Sequence, residues 1–533
     1  MKRLLLALPL AATLWITACS SGSTTVLPPP TGKYSLSSLN GTFSFVTNGE
    51  VFANGAFTAT PMARTGSFVA DGKGGISGGI EDVNSAGAFN GPFVISGGSY
   101  TVAADGRGTL TLNVSSNGST NTLQFGITLT STGGGLMIDE TFSTMQASTG
   151  SGNFIIQNAA LCSTPVTAPA GPYVFDFSGL DTNGAALSLV GEITANAGVL
   201  NPGFADLNDG GVLSNGSING ALGVDGVNPA GPTVCGRGLA TISGQNYIFY
   251  VVDATRLRFL SSSGNVMING DAVLQNNLPA NLSGAFAFVV AGSDNATKFG
   301  PLTRLGRFTV SGTTLTNVLV DTNDAGTFTP TNSGVNTIVT FDLVTNPGRG
   351  TVTFKDPNLS SAFSYVFYMS SATRGVIQET TSKAGIALAI ADGSIAAQTG
   401  GPFSSTNISG TYAINWSGLS VQNGGGFAVA DEEDLVGQAT VTSLALKGAA
   451  DIFQFQNVNG PQVDNAVGGT ITISGDGTGG DGKTARNKMT VTLTKGSSAN
   501  VDFVVYFVSP QLAFITSNGQ ANRIVAGILQ FQQ

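Results

Sequence analysis

Asp105-Gly-Arg-Gly-Thr-Leu-Thr-Leu-Asn-Val114 packs a turn signal, a glycine-flanked arginine and a polar–apolar alternation into one short stretch. A period of two puts Leu110, Leu112 and Val114 on one side of an extended chain and Thr109, Thr111 and Asn113 on the other. This is the pattern of a half-buried β-strand. The arginine turn returns as Gly236-Arg237-Gly238 and Gly348-Arg349-Gly350, and in degraded form as Ala485-Arg486-Asn487. Alternation returns with it, in Thr351-Val-Thr-Phe354, Thr470-Ile-Thr-Ile473 and Thr490-Val-Thr-Leu493.

Working outward, each arginine turn lies inside a longer repeat. The units open with Leu39-Asn-Gly-Thr-Phe-Ser-Phe45, Ala170-Gly-Pro-Tyr-Val-Phe175, Leu282-Ser-Gly-Ala-Phe-Ala-Phe288 and Ile408-Ser-Gly-Thr-Tyr-Ala-Ile414. A second marker follows as Thr65-Gly-Ser-Phe68, Val190-Gly-Glu-Ile193, Leu305-Gly-Arg-Phe308 and Val436-Gly-Gln-Ala439. Next is Asp-x-Asn-x-x-Gly, at Asp82/Asn84/Gly87, Asp206/Asn208/Gly211 and Asp321/Asn323/Gly326, with Asn457-Val-Asn459-Gly460 as the looser fourth copy. Each unit closes on Gly, four residues, then Gln: Gly152/Gln157, Gly270/Gln275, Gly393/Gln398 and Gly527/Gln532. Markers in a constant order indicate tandem domains. The expected boundaries are a leader over 1–18, a tether over 19–38 and β units over 39–160, 165–276, 279–399 and 403–533.

The fold class that follows is all-β, four tandem antiparallel meanders. Turn signals such as Asp71-Gly72, Asp105-Gly106 and Asn117-Gly118 divide the first unit into about eight runs with no helical period. Eight consecutive antiparallel strands close into a barrel or stack as a sandwich. Long Thr/Ser-faced strands with few charges aggregate at open edges, so closure is the favoured expectation and sandwiches the alternative. A Gly-x-Tyr/Phe opening strand followed by such a meander resembles the lipocalin or avidin barrel type. That likeness is architectural and brings no ligand residues with it.

Composition narrows function. Only 10% of the 533 residues are charged and none is histidine, against roughly 25% charged in an average domain. The Ser-His-Asp arrangement and the commonest metal ligand are thereby excluded, and no catalytic, cofactor or metal residue is assigned. A net charge of −9 lacks the basic stripe that nucleic acid needs.

The N-terminus supplies an address. Met1-Lys2-Arg3 precedes an apolar run from Leu4 to Ile16, too short to span a bilayer, and then Ile16-Thr17-Ala18-Cys19. This resembles the lipobox of bacterial lipoproteins, and the whole chain resembles tandem-repeat surface lipoproteins of environmental bacteria. The resemblance implies a diacylglycerol on Cys19, a further acyl chain such as palmitate on its amine, and membrane attachment through that lipid. Ser20 in place of aspartate favours the outer membrane, with the domains facing periplasm or medium. The tether, with Pro28-Pro29-Pro30 inside it, could reach about 60 Å when extended. Lipidation leaves an even pair, Cys162 just before unit two and Cys235 inside it, expected to form a disulfide in an exported compartment. Its loop would contribute roughly 3–4 kcal/mol in the chain-entropy model.

Remaining candidates have bland readings beside sharp ones. Arg107, Arg237, Arg349 and Arg486 read as structural turn arginines, pairing with the unit's own Asp or with loop carbonyls; an anionic-ligand site is the alternative. The Asp-x-Asn motifs look like the opening of a calcium loop, but the closing Glu is missing: Asn332 and Ser217 stand there. Asx turns need the same residues. Asp431-Glu-Glu-Asp434 reads as a solvated loop, Glu140 and Glu379 as matching positions without a partner base, and Phe363/Tyr365/Phe367 as core. The function expected is a lipid-anchored, non-enzymatic surface, adhesive or structural module with a protein or glycan partner. The alternative is small apolar ligands held inside lipocalin-like barrels.

Overall fold

The computed structural model describes residues 32–53, 59–116, 119–143, 146–161, 170–225, 236–295, 300–333, 338–342, 345–355, 362–383, 385–420, 431–454, 460–473, 486–494, 500–520 and 523–533. Among them every element longer than a single 3-10 turn is a β-strand. All strand pairings are antiparallel and most join sequence neighbours. In unit one, strands Asn40–Ala53, Thr60–Asp71, Gly75–Ser85, Ala88–Tyr100, Arg107–Ser116, Ser119–Ser131, Gly134–Asp139 and Ser151–Ile156 pair in a full circle. Unit two closes the same way from Gly171–Leu180 to Met267–Leu274. Unit three closes from Gly284–Asp294 to Ala389–Ala397, with one seam carried by the single pair Thr314↔Ile338. Unit four, Gly410–Ser420 to Arg523–Phe531, is a closed eight-stranded barrel. Barrels, rather than sandwiches, are the architecture.

Alternation explains the interiors. Inward residues of unit one include Phe43, Phe45, Phe68, Phe125 and Phe154, and unit four centres on Trp416 and Phe503. Each such side chain stabilises by roughly 2–3 kcal/mol when buried. The second repeat marker has a packing reason: a Cβ on Gly66, Gly191 or Gly306 would stand 2.5–2.7 Å from the ring of Phe45, Phe175 or Phe288. The opening phenylalanine lies over that glycine. Unit four has Ile414 instead, and Ala450 approaches Gly437.

Three strands depart from alternation. Tyr247-Ile-Phe-Tyr-Val-Val252, Tyr365-Val-Phe-Tyr-Met369 and Phe503-Val-Val-Tyr-Phe-Val508 are buried on both faces, as continuous apolar runs should be. Their outer faces meet the preceding barrel: Ile248 and Tyr250 pack on Ile80, Val366 and Tyr368 on Val174 and Val190, and Val504 and Tyr506 on Ala287 and Leu305. Leu136 and Ile138 of unit one meet Ala413 and Val436 of unit four. Unit one touches two, two touches three, three touches four, and four returns to one. The chain is a closed ring of barrels.

The tether expected over 19–38 is docked at its far end. Tyr34 joins the core of unit one and its hydroxyl donates to the carbonyl of Gln533, 2.9 Å away.

Candidate functional site

The repeat markers converge at the junctions between barrels. Asp82 of unit one is fully buried and accepts Nε and Nη2 of Arg237, each at 2.8 Å, and the Tyr250 hydroxyl at 2.6 Å, both from unit two. Asp206 accepts Arg349 at 2.8 Å twice and Tyr368 at 2.6 Å from unit three. Asp321 accepts Arg486 Nε at 2.5 Å and Tyr506 at 2.7 Å from unit four. Bidentate arginine fixes orientation as well as charge. Burial pushes the Tyr250 and Tyr506 hydroxyls far up, and the neighbouring aspartate adds to it. They therefore stay donors.

The closing glutamine makes the same step. Gln157 donates to the Val251 carbonyl, Gln275 to Met369 and Gln398 to Phe507. Gln532 donates to Leu129, back in unit one. The first glycine of the arginine turn makes room for it: a Cβ at Gly106 (φ +89°) or Gly348 (φ +86°) would come within 2.7 Å of Gln532 Nε2 or Gln275 Nε2. Asparagine of the Asp-x-Asn marker also crosses over, Asn84 to the carbonyls of Ser261 and Val266 and Asn323 to those of Ser517 and Arg523.

The junction of four with one is wired differently. Register places Asp451 where Asp82, Asp206 and Asp321 stand, and Thr128 where the tyrosines stand. Arg107 turns to Asp105 of its own unit, at 2.9 Å, and to Asp464, at 2.5 Å. Glu140 is buried with neither oxygen hydrogen-bonded. Its carboxyl is pushed well up, first by desolvation and then by Asp451, Asp139 and Asp464. Desolvation also raises Glu432, with Asp434 and Glu50 adding to it, and takes Asp434 up to about 8. The carboxyls of this junction hold their protons to higher pH than exposed ones do.

Where the four opening strands approach one another, Gly49, Gly179, Gly292 and Gly418 line a cavity of about 520 Å³ shared by all units. Glu50 and Glu432 give it an acidic side and Met62 and Met267 an apolar one. A second cavity, of about 460 Å³, opens at one end of barrel two.

Several sequence expectations take definite places. Cys19, Cys162 and Cys235 lie outside the described residues, as do Asn457 and Asn459. The four arginines bond carboxylates of a neighbouring unit in every case; Arg107 and Arg237 bond one of their own unit as well. Asp431–Thr442 is a strand, and Glu432, Glu433 and Asp434 are buried in it rather than solvated in a loop. Their burial follows from partners that sequence could not place: Glu433 accepts Trp416 Nε1 and Arg523. Register matches Glu379 with Asp139, not Glu140, because Tyr365↔Glu379 and Phe125↔Asp139 are the corresponding pairs. Phe363, Tyr365 and Phe367 are core. The junction tyrosines were missed in the sequence; the signal for them is the unbroken apolar run. Among the described residues no group of three or more His, Cys, Asp or Glu side chains is placed to hold a metal ion.

No family model matches the chain, and no curated protein does. Among solved structures, a double mutant of the vaccine antigen transferrin binding protein B from Haemophilus parasuis is 12% identical over 74% of this chain and 81% of its own, with a TM-score of 0.17. The isotype 1 transferrin binding protein B of Neisseria meningitidis is 9% identical over 74% and 83%, with a TM-score of 0.19. At such scores the arrangements do not superpose, and nothing those proteins bind carries over.

Proposed function

We propose that the chain is a non-enzymatic module of the bacterial cell envelope, held to the membrane by lipid on Cys19 and presenting four barrels as a rigid adhesive or structural surface. Support comes chiefly from where the scarce charges go. Arg64, Arg107, Arg237, Arg304, Arg349, Arg486 and Arg523 each sit in an ion pair inside a barrel or at a junction. Polar chemistry is invested in locking barrels together, which suits a scaffold. The Thr/Ser/Asn faces left outside suit a protein or glycan partner reached by neutral hydrogen bonds, and the acidic balance disfavours nucleic acid.

Cell fractionation and mass spectrometry of the N-terminal peptide test the anchor. Diacylglycerol on Cys19, with Cys19→Ser found in the soluble fraction, is the expected result; an unmodified Cys19 in membrane-bound protein overturns it. Maleimide labelling without reductant tests the proposed Cys162–Cys235 bond, where both thiols are expected to resist. The alternative of an apolar ligand within a barrel is favoured by one observation, the open end of barrel two.

A further inference from the structure

Barrel two differs from the others at one end. Two residues before the second-marker glycine, the inward position is Arg64 in unit one, Leu189 in unit two, Arg304 in unit three and Leu435 in unit four. Across the barrel, the residue facing Phe125, Tyr247, Tyr365 or Phe503 is Asp139, Ser261, Glu379 or Ser517. In unit one Arg64 pairs with Glu81 at 3.0 Å and lies 3.6 Å from Asp139. Unit three pairs Arg304 with Glu379 and lays the guanidinium over Phe363, 4.9 Å from the ring centre. Unit four fills the place with Trp416, Glu433 and Arg523, joined by hydrogen bonds. Each of these three barrel ends carries a buried polar plug.

Unit two has no such plug among its described residues. Leu189 and Ser261 take the plug positions, and the Ser261 hydroxyl is turned to the Val266 carbonyl. Inward-facing Leu189 and Leu207 are only half-buried, which is unusual for core leucines. The strand Arg237–Ile242 stops short of its unit-one counterpart, Arg107–Ser116. What remains is the cavity of about 460 Å³, walled by Leu187, Leu189, Leu207, Ile218, Ile242 and Tyr247. The corresponding space in unit one, with Arg64 and Glu81 in its wall, is about 270 Å³. Apolar pockets of 300–1,000 Å³ with few polar groups are the usual form of small-molecule sites. Asp181 and Asp209 stand at the rim and hydrogen-bond to each other; Asp181 also accepts the N–H groups of Asn183 and Ala185, whereas Asp209 Oδ1 is left without a hydrogen bond. Two rim carboxyls accept a donor and repel an anion.

We propose that the open end of barrel two binds a slender uncharged molecule of the medium-chain alcohol class, its chain among the leucines and its hydroxyl donating to Asp209. Carboxylate-headed chains of equal length are rejected by the rim. The site needs neither the lipid anchor nor the adhesive reading, and stands if both fail.

Fluorescence of N-phenyl-1-naphthylamine in the presence of the full-length protein reads the site. One probe is expected to bind per chain and to be displaced by 1-decanol at least tenfold better than by decanoate. Leu189→Arg with Ser261→Asp copies the Arg64–Asp139 part of the plug of unit one and should weaken probe binding at least tenfold while the far-UV spectrum stays the same. Should that pair disturb folding, Gly216→Trp serves instead. Gly216 lies opposite inward Ala205, lines the cavity, and a Cβ there meets nothing within 4 Å. Unchanged probe affinity in a folded plugged variant overturns the site. Equal displacement by decanoate overturns the assigned head group.

Discussion

Three of the four junctions in the ring place an aspartate against the arginine and tyrosine of the next barrel, whereas the junction from four to one places a carboxylate against other carboxylates. The three are neutralised pairs with a phenol completing the aspartate's shell. The fourth leaves Glu140 without hydrogen bonds and hands Arg107 to Asp464, whose side chain is 60% exposed. Junctions one–two, two–three and three–four join barrels consecutive in the chain, whereas four–one joins the first and last barrels, which no single linker connects. Buried unpaired acids make it the junction most sensitive to solution conditions.

The largest effect should come from breaking a tyrosine junction. Asp206→Ala strands the Arg349 guanidinium and the Tyr368 hydroxyl, and should cost about 3 kcal/mol in denaturant unfolding, toward the low end for a broken buried pair because Arg349 is partly exposed. No loss would mean that solvent already screens the pair. Tyr368→Phe removes one hydrogen bond to a charged acceptor and should cost about 1.5–2 kcal/mol.

pH sharpens the contrast further. Glu140, Glu432 and Asp434 bind protons more tightly folded than unfolded. Their contribution is therefore fully present below the unfolded carboxyl value near 4 and is lost as pH rises through the folded values, about 8 for Asp434. Glu140→Gln should raise the melting temperature at pH 8 and leave it nearly unchanged at pH 4. Amide exchange offers a local readout. The N–H groups of Asn158, Asn276, Thr399 and Gln533 make equivalent bonds across the four junctions, and only that of Gln533 should exchange faster as pH goes from 5 to 8 after correction for intrinsic rates. The smallest effect belongs to Asp464→Ala, at most about 1 kcal/mol, because an exposed partner is screened.

Much of this contrast can be found in the sequence by comparing one strand across units. Tyr247–Val252, Tyr365–Met369 and Phe503–Val508 are unbroken apolar runs, while Leu123-Gln-Phe-Gly-Ile-Thr-Leu129 keeps its alternation. The runs belong to strands buried on both faces; the alternating strand faces the carboxylate-rich junction. Repeat order was equally legible, because each marker is a short local pattern. What stayed hidden was partnership. Arg237 and Asp82 are separated by 155 positions, and nothing local distinguishes an aspartate that serves its own barrel from one that serves the next. Asp431–Asp434 misled for the same reason, since four acids in a row look solvated until Trp416 and Arg523 are seen to cover Glu433.

The sequence by itself determined that the chain is built of β-strands, that it repeats four times, and that glycine, aspartate, arginine and glutamine recur in fixed order. Those properties are written in a period of two and in turn chemistry, which act over a few residues. Only the tertiary structure decided that the markers bind one barrel to the next, that the fourth barrel returns to the first, and that barrel two alone lacks a plug among its described residues. Such outcomes depend on which outward faces meet and which inward positions share a layer, and those are set by closure of the strands rather than by distance along the chain.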